Sequence, residues 1–77
     1  MMYKIGDRVT AVCDVDGDFE TTGESGTVLE DNGITVSVEF DEYVDGHDCD
    51  GLGEYGHCLE CTPSELEPAN SITEREP

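Results

Sequence analysis

Apolar and polar positions alternate most clearly in the middle of the chain. Ile34, Val36, Val38 and Phe40 alternate with Thr35, Ser37 and Glu39. A period of two predicts a strand with one face in a core and the other in water. Asn32-Gly33 sits at the head of this run, and both residue types tolerate positive φ, so a type I′ turn is expected there. Residues 26–30, with Val28 and Leu29, supply the partner strand. Residues 26–41 therefore read as an antiparallel hairpin with Val28, Ile34, Val36, Val38 and Phe40 in one core.

The flanking segments have the same character. Residues 8–13 read as a first strand with Val9, Ala11 and Cys13 on one face, and residues 14–24 as a polar loop. Residues 42–56 form a second loop, rich in Gly and Asp, and residues 57–61 a fourth strand. Pro63-Ser64-Glu65-Leu66 reads as a tight turn into a short last strand. No helix or internal repeat emerges. Short strands joined by long loops predict an all-β fold, a small five-stranded antiparallel barrel. Residues 1–67 form this domain. Residues 68–77 lack periodicity and are bracketed by prolines, so a flexible, disordered tail is expected there.

Charge changes the picture. The chain carries 20 acidic and 3 basic residues, a net charge of -17 on 77 residues. A small soluble domain needs a net charge of only about 2–8 in magnitude, and the excess opposes compaction through self-repulsion. It points to disorder, to cation binding, to an acidic surface for a basic partner, or to the solvated surface of a protein from a high-salt host. The alternation argues against disorder. No apolar run approaches the roughly 18 residues of a membrane-spanning helix. Met1-Met2-Tyr3-Lys4-Ile5-Gly6-Asp7 lacks an apolar signal core. A cytoplasmic location with reduced cysteines is expected. Nucleic acid and anionic membranes both repel such a chain, so direct binding to either is not expected.

Gly6-Asp7-Arg8-Val9, Gly23-Glu24-Ser25-Gly26-Thr27-Val28, Val36-Ser37-Val38-Glu39-Phe40-Asp41 and Pro63-Ser64-Glu65-Leu66 together resemble an SH3-like small barrel of the KOW or Mind-bomb repeat type. Gly46-His47-Asp48 and Gly56-His57-Cys58 are similar to short SH3-like proteins encoded by bacteriophages. The resemblance covers about residues 4–67 and rests on glycines and core valines, which specify fold more than function. With Tyr3, Phe19, Phe40, Tyr43 and Tyr55 as the only aromatics and no Trp, the chain lacks the residues of an aromatic proline-peptide groove.

The acidic residues fall into two runs. Asp14, Asp16, Asp18 and Glu20 recur every second position, which in an extended segment sets alternate side chains about 6.6–6.8 Å apart. That spacing is looser than the roughly 3.4 Å between phosphates along one strand of a duplex, though of the same order. Glu39, Asp41, Glu42, Asp45, Asp48, Asp50 and Glu54 form the second run. If both loops project from one side of the barrel, their carboxylates can stand in for phosphates in a basic groove. The expected contact set is Asp14, Asp16, Asp18, Glu20, Asp41, Glu42, Asp45, Asp48 and Asp50, with Tyr43 and Tyr55 beside a small apolar groove.

Two metal readings compete for these residues. Asp14-Val15-Asp16-Gly17-Asp18 places oxygens at the first, third and fifth positions of a calcium loop. Phe19 then replaces the required glycine and Ser25 the bidentate glutamate, so specific calcium binding is not expected. Cys58-Leu59-Glu60-Cys61, with Cys49, His47 and His57 nearby, offers zinc-type donors, of which Cys49, His57, Cys58 and Cys61 are the best set. On a strand, however, Cys58 and Cys61 point to opposite faces, so folding without zinc and free thiols are expected. Cys13 reads as a small core residue. Both histidines read as solvated or turn-stabilising.

No phosphate loop, nucleophile elbow or activated nucleophile is present, so catalysis is not expected. The functional expectation is an acidic inhibitor that occupies the nucleic-acid site of a basic host protein: anti-CRISPR, anti-restriction, or directed at a host DNA-binding protein. The alternatives are an SH3-like adaptor for a basic peptide or protein surface, and a small zinc-stabilised regulatory domain.

Overall fold

A computed structural model describes residues 3–15 and 21–69. Five strands follow one another: β1 (Arg8–Ala11), β2 (Ser25–Asp31), β3 (Val36–Phe40), β4 (Cys58–Cys61) and β5 (Leu66–Pro68), with a short 3-10 turn at Pro63–Glu65. They form one antiparallel sheet in the order β4-β3-β2-β1-β5. The all-β class expected from the alternation is therefore present. Hydrogen-bonded closure into a barrel is not: β4 and β5 are the two edges of an open ladder.

The sheet is nevertheless forced to curl. Five strands laid flat would separate the edge strands by about 19 Å, at the usual interstrand spacing. Cys61 pairs at the Val36 end of the sheet and Leu66 at the Ala11 end, so a flat sheet would add a long offset along the strands. The chain from Cys61 to Leu66 spans at most about 18 Å. Curling brings the edges within its reach and encloses a core. Val9 and Ala11 come from β1, Val28 from β2, Val36, Val38 and Phe40 from β3, and Leu59 and Cys61 from β4. Tyr3, Val15, Val44 and Leu66 seal this core.

Two sequence expectations fail at the hairpin. β3 begins at Val36, and Ile34 is 77% exposed instead of joining the core. The cause is local. The Asn32 side-chain oxygen accepts the N–H groups of both Ile34 and Thr35 at 2.8 Å, and Asn32 N–H donates to the Thr35 carbonyl at 3.1 Å. The connection thus spends residues 32–35, and Ile34 sits on the turn. The expected type I′ turn is absent as well: Gly33 has φ +94, while Asn32 is not among the positive-φ residues.

A bulge further modifies β2. Val28 pairs with Val38 and Glu30 with Ser37, leaving Leu29 as the extra residue. This shift turns Asp31 inward, where its carboxylate accepts Tyr3 N–H at 2.9 Å and Gly33 N–H at 2.8 Å. It also leaves half-buried Leu29 on the outer face of the sheet.

At the other end, β1 stops at Ala11. Val12 N–H makes the last ladder bond, to the Glu65 carbonyl at 2.9 Å. Cys13 is therefore exposed, which corrects its expected place in the core. Of the segment read as a tail from residue 68, Pro68 belongs to β5 and Ala69 N–H donates to the Arg8 carbonyl at 2.9 Å. Residues 70–77 lie outside the described residues.

Phe40→Ala should cost about 3–5 kcal/mol, enough to unfold most of a small domain whose core is worth only a few kcal/mol net. Ile34→Ala should stay within about 0.5 kcal/mol of the parent. Urea melts of both variants check this, and equal losses would contradict the turn assignment.

Candidate functional site

The strand directions decide which loops share an end. β1 and β3 run toward the same end of the sheet, and β2 and β4 start from it. The connections 12–24 and 41–57 therefore both leave and re-enter the sheet at that end. Asp41 N–H donates to the Ser25 carbonyl at 2.9 Å, tying the base of one connection to the base of the other. Asp16, Asp18 and Glu20, three of the expected contact residues, lie outside the described residues.

Asp14 and Asp41 have internal duties that the sequence did not reveal. Asp14 Oδ1 accepts the N–H groups of Thr21 and Thr22 at 3.1 Å and the Thr22 hydroxyl at 2.8 Å. The bonds from Thr22 are the main reason its carboxyl is held below the usual carboxylate range. Buried Thr21 completes the neck, donating to the Cys13 carbonyl at 3.1 Å and accepting Val15 N–H at 2.9 Å. Asp41 is clamped by Arg8, with Nη1–Oδ1 at 2.9 Å and Nη2–Oδ2 at 2.5 Å. That contact lowers the Asp41 carboxyl and raises the Arg8 guanidinium. Arg8 Nη1 also donates to Thr27 Oγ1 at 2.9 Å, crossing three strands' worth of sheet surface.

The remaining expected contacts lie on the 41–57 connection. Glu42, Asp45 and Asp50 are exposed, while Asp48 is half-buried and its carbonyl accepts N–H groups from Gly51 and Gly53. Tyr43 and Tyr55 are 62% and 73% exposed. Tyr43 is fixed in place. Its hydroxyl donates to Asp45 at 3.2 Å, which raises the phenol above its ordinary value, and its ring meets His57 edge-on at 5.9 Å. Gly56 makes room for the ring, since a Cβ there would stand 2.2 Å from the Tyr43 ring.

This connection does more than display charge. His47 and Cys58 exchange both backbone hydrogen bonds, at 2.8 and 3.0 Å, so residue 47 lies along the free edge of β4. The chain then folds over the outer face of the sheet. Glu39 accepts Glu54 N–H at 2.9 Å, and the Cys58 thiol donates to the Glu54 carbonyl at 3.4 Å. Ser37 was expected to face water and is instead 6% exposed, because this loop covers it. Sequence reasoning missed Ser37, Glu39 and Leu29 as loop supports. Gly53 was the available signal: a Cβ there would lie 2.4 Å from Cys58 Sγ and 2.9 Å from Leu29 Cδ1.

The expected zinc donors do not converge. Strand alternation sends Cys61 into the inner core and Cys58 to the outer face beside Cys49. His57 Nδ1 lies 3.0 Å from the Phe40 carbonyl, and His47 Nδ1 accepts Cys49 N–H at 2.9 Å. Both histidines thus stabilise turns. Among the described residues, no group of three or more His, Cys, Asp or Glu side chains is arranged to hold a metal. No helix among the described residues is long and apolar enough to cross a membrane.

Comparison with protein-family models, curated proteins and solved structures finds no match.

An Arg8→Ala and Asp41→Ala double-mutant cycle should return a coupling below about 1 kcal/mol, because both side chains are well exposed. The Asp41 carboxyl is depressed in the fold. Its contribution is therefore complete above the ordinary carboxylate value and fades as pH falls through the lower folded value. Thermal melts of the four proteins at neutral and strongly acidic pH measure both effects. A strong chelator should leave the melting temperature of the parent unchanged.

Proposed function

We propose that this chain is an acidic inhibitor of the SH3-like small-barrel type. It occupies the nucleic-acid site of a basic protein in the cytoplasm of a bacterial host. Occupancy is its activity, and no catalytic step is involved. The observation that carries this reading is that both long connections, 12–24 and 41–57, start and finish at one end of the sheet in a chain with net charge -17. A chain of that charge is repelled by nucleic acid and attracted by whatever binds nucleic acid.

Further support comes from the two edge strands, β4 and β5, which follow one another across the 3-10 turn. The order β4-β3-β2-β1-β5, with the turn just ahead of the last strand, favours the SH3-like reading. The bacteriophage origin rests on the sequence resemblance, and so do the anti-CRISPR, anti-restriction and host DNA-binding-protein targets. Tyr43, held upright by Asp45, His57 and Gly56, favours a second reading, an adaptor that receives a basic peptide against Tyr43 and Tyr55.

Salt separates folding from binding. Screening relieves self-repulsion, so the melting temperature of the isolated chain should rise between about 0.02 and 0.2 M sodium chloride. Affinity for a basic target captured from host lysate should fall steeply over the same range. Neutralising Glu42, Asp45, Asp48 and Asp50 together should weaken binding strongly. Any one alone should change it little, since exposed pairs contribute about 0–1 kcal/mol each. Titration at two salt concentrations, with nucleic acid as competitor, tests the proposal. Binding indifferent to salt and to these charges, yet lost in Tyr55→Ala, would favour the adaptor.

A further inference from the structure

The outer face of the sheet carries a second, very small interior. Cys49 is 3% exposed and Cys58 is fully buried, and no cysteine among the described residues is in a disulfide. Their placement follows from the ladder. His47 stands opposite Cys58 in a doubly hydrogen-bonded pair, and Cys49 follows two residues on, buried where the chain turns back. The chain is folded back at this point by two successive left-handed residues, Cys49 at φ 52 and Asp50 at φ 57. Cys49 N–H is anchored on His47 Nδ1 at 2.9 Å. The two thiols are close enough to perturb one another, and Ser37 adjoins Cys49.

We propose that Cys49 and Cys58 are an oxidisable pair that closes to a disulfide and pins the 41–57 connection onto the outer face of the sheet. The proposal does not rest on the inhibitory activity, although the loop it pins carries Asp48 and Asp50.

The oxidant is a peroxide, and the roles follow from the surroundings. Cys49 is the more accessible of the two and lies on the loop, so it reacts first. Its sulfur loses a proton, displaces hydroxide from hydrogen peroxide and becomes a sulfenic acid. The released hydroxide and proton leave as one water. Cys58 then attacks the Cys49 sulfur and gives up its own proton, and the sulfenic oxygen leaves as a second water. Two thiols are oxidised to one disulfide and one peroxide is reduced to two waters. Burial, with the neighbouring Cys49 second, pushes the Cys58 thiol up to about 12, and burial also raises Cys49. Both thiols are therefore protonated at neutral pH, and the reaction waits on opening of the loop.

The geometry also says what the bond would do. Residues 44–57 carry three non-glycine positions at positive φ, Asp45, Cys49 and Asp50, a conformation that L residues adopt at a cost. The loop is held over the sheet by hydrogen bonds and by small side chains. A link between residues 49 and 58 closes a loop of about ten residues, which restricts the unfolded chain and raises the melting temperature.

The experiment uses the full chain carrying Cys13→Ser, which removes the exposed thiol from competition, treated with hydrogen peroxide and then with an alkylating agent. Intact mass should show the loss of two hydrogens with a single remaining alkylatable thiol after denaturation. Cleavage at Glu54, between the two cysteines, should leave the halves joined until a reductant is added. The oxidised protein should melt about 5 °C or more above the reduced one. Adding Cys49→Ser should abolish the cross-link. If that variant does not fold, the peptide map of the Cys13→Ser protein decides alone. Three labelled thiols after peroxide, a cross-link that maps to Cys61, or a cross-link without a rise in melting temperature would each overturn the proposal.

Discussion

A link of four residues, 62–65, governs the shape of this protein. It joins the two edge strands of the sheet, and it is too short to do so unless the sheet curls. Curling gives the inner face something to enclose and makes a few valines and one phenylalanine sufficient as a core. The link itself is held by local chemistry. Glu65 accepts Thr62 N–H through its side chain at 2.8 Å, and its own N–H donates to the Thr62 carbonyl at 2.9 Å. Val12 N–H on the Glu65 carbonyl then fastens the turn to β1. The edges left open are poor templates for another chain: Pro68 has no N–H to offer, and residue 47 runs beside the start of β4.

The same curl separates the two roles of the acidic residues. Some carboxylates work inside the fold. Asp31 receives Tyr3 and Gly33, Asp14 receives the Thr21-Thr22 neck, Glu39 receives Glu54, and Asp41 holds Arg8. Each is an acceptor for backbone or guanidinium donors that would otherwise need water. Others have no such duty: Glu42, Asp45 and Asp50 are exposed on the 41–57 connection, and Glu30, Glu60 and Glu67 are exposed on β2, β4 and β5. Net charge of this size opposes folding. Keeping these carboxylates exposed limits that cost, since they stay in high dielectric while the strands bring their apolar faces together.

Much of the sheet was legible because a strand's period is local. Val36, Val38 and Phe40 announced β3 and its inward face, and the divergence of Cys58 and Cys61 followed from the same alternation. Ile34 was misplaced because its neighbour Asn32 offers the turn a side-chain acceptor, which outweighs one more apolar residue in register. Cys13 was misplaced because β1 ends where its partner strand β5 begins, a fact set by a pairing more than fifty residues away. The acidic runs were legible as composition, yet nothing in the sequence distinguished Asp41, which is clamped by Arg8 from another strand, from Glu42, which is free on the surface.

Ser37 exposes the deeper limit of the alternation rule. It occupies a polar, outward position of β3 and is buried all the same, because a loop that a periodicity argument treats as punctuation returns to cover it. A face built to meet water has little apolar area to offer a covering loop. Beside Leu29 and Glu39, the residues found there tolerate both settings: a hydroxyl, two thiols and a glycine. Thiols suit this place because they remain uncharged when buried and make weak hydrogen bonds, as Cys58 does to the Glu54 carbonyl. A carboxylate in place of Cys58 would have to be desolvated beside Glu39 and Asp48, in a protein already overloaded with negative charge. The loop is thus attached by backbone pairing at His47 and Cys58 and by Glu39 on Glu54 N–H, with weakly polar groups filling the space beneath it.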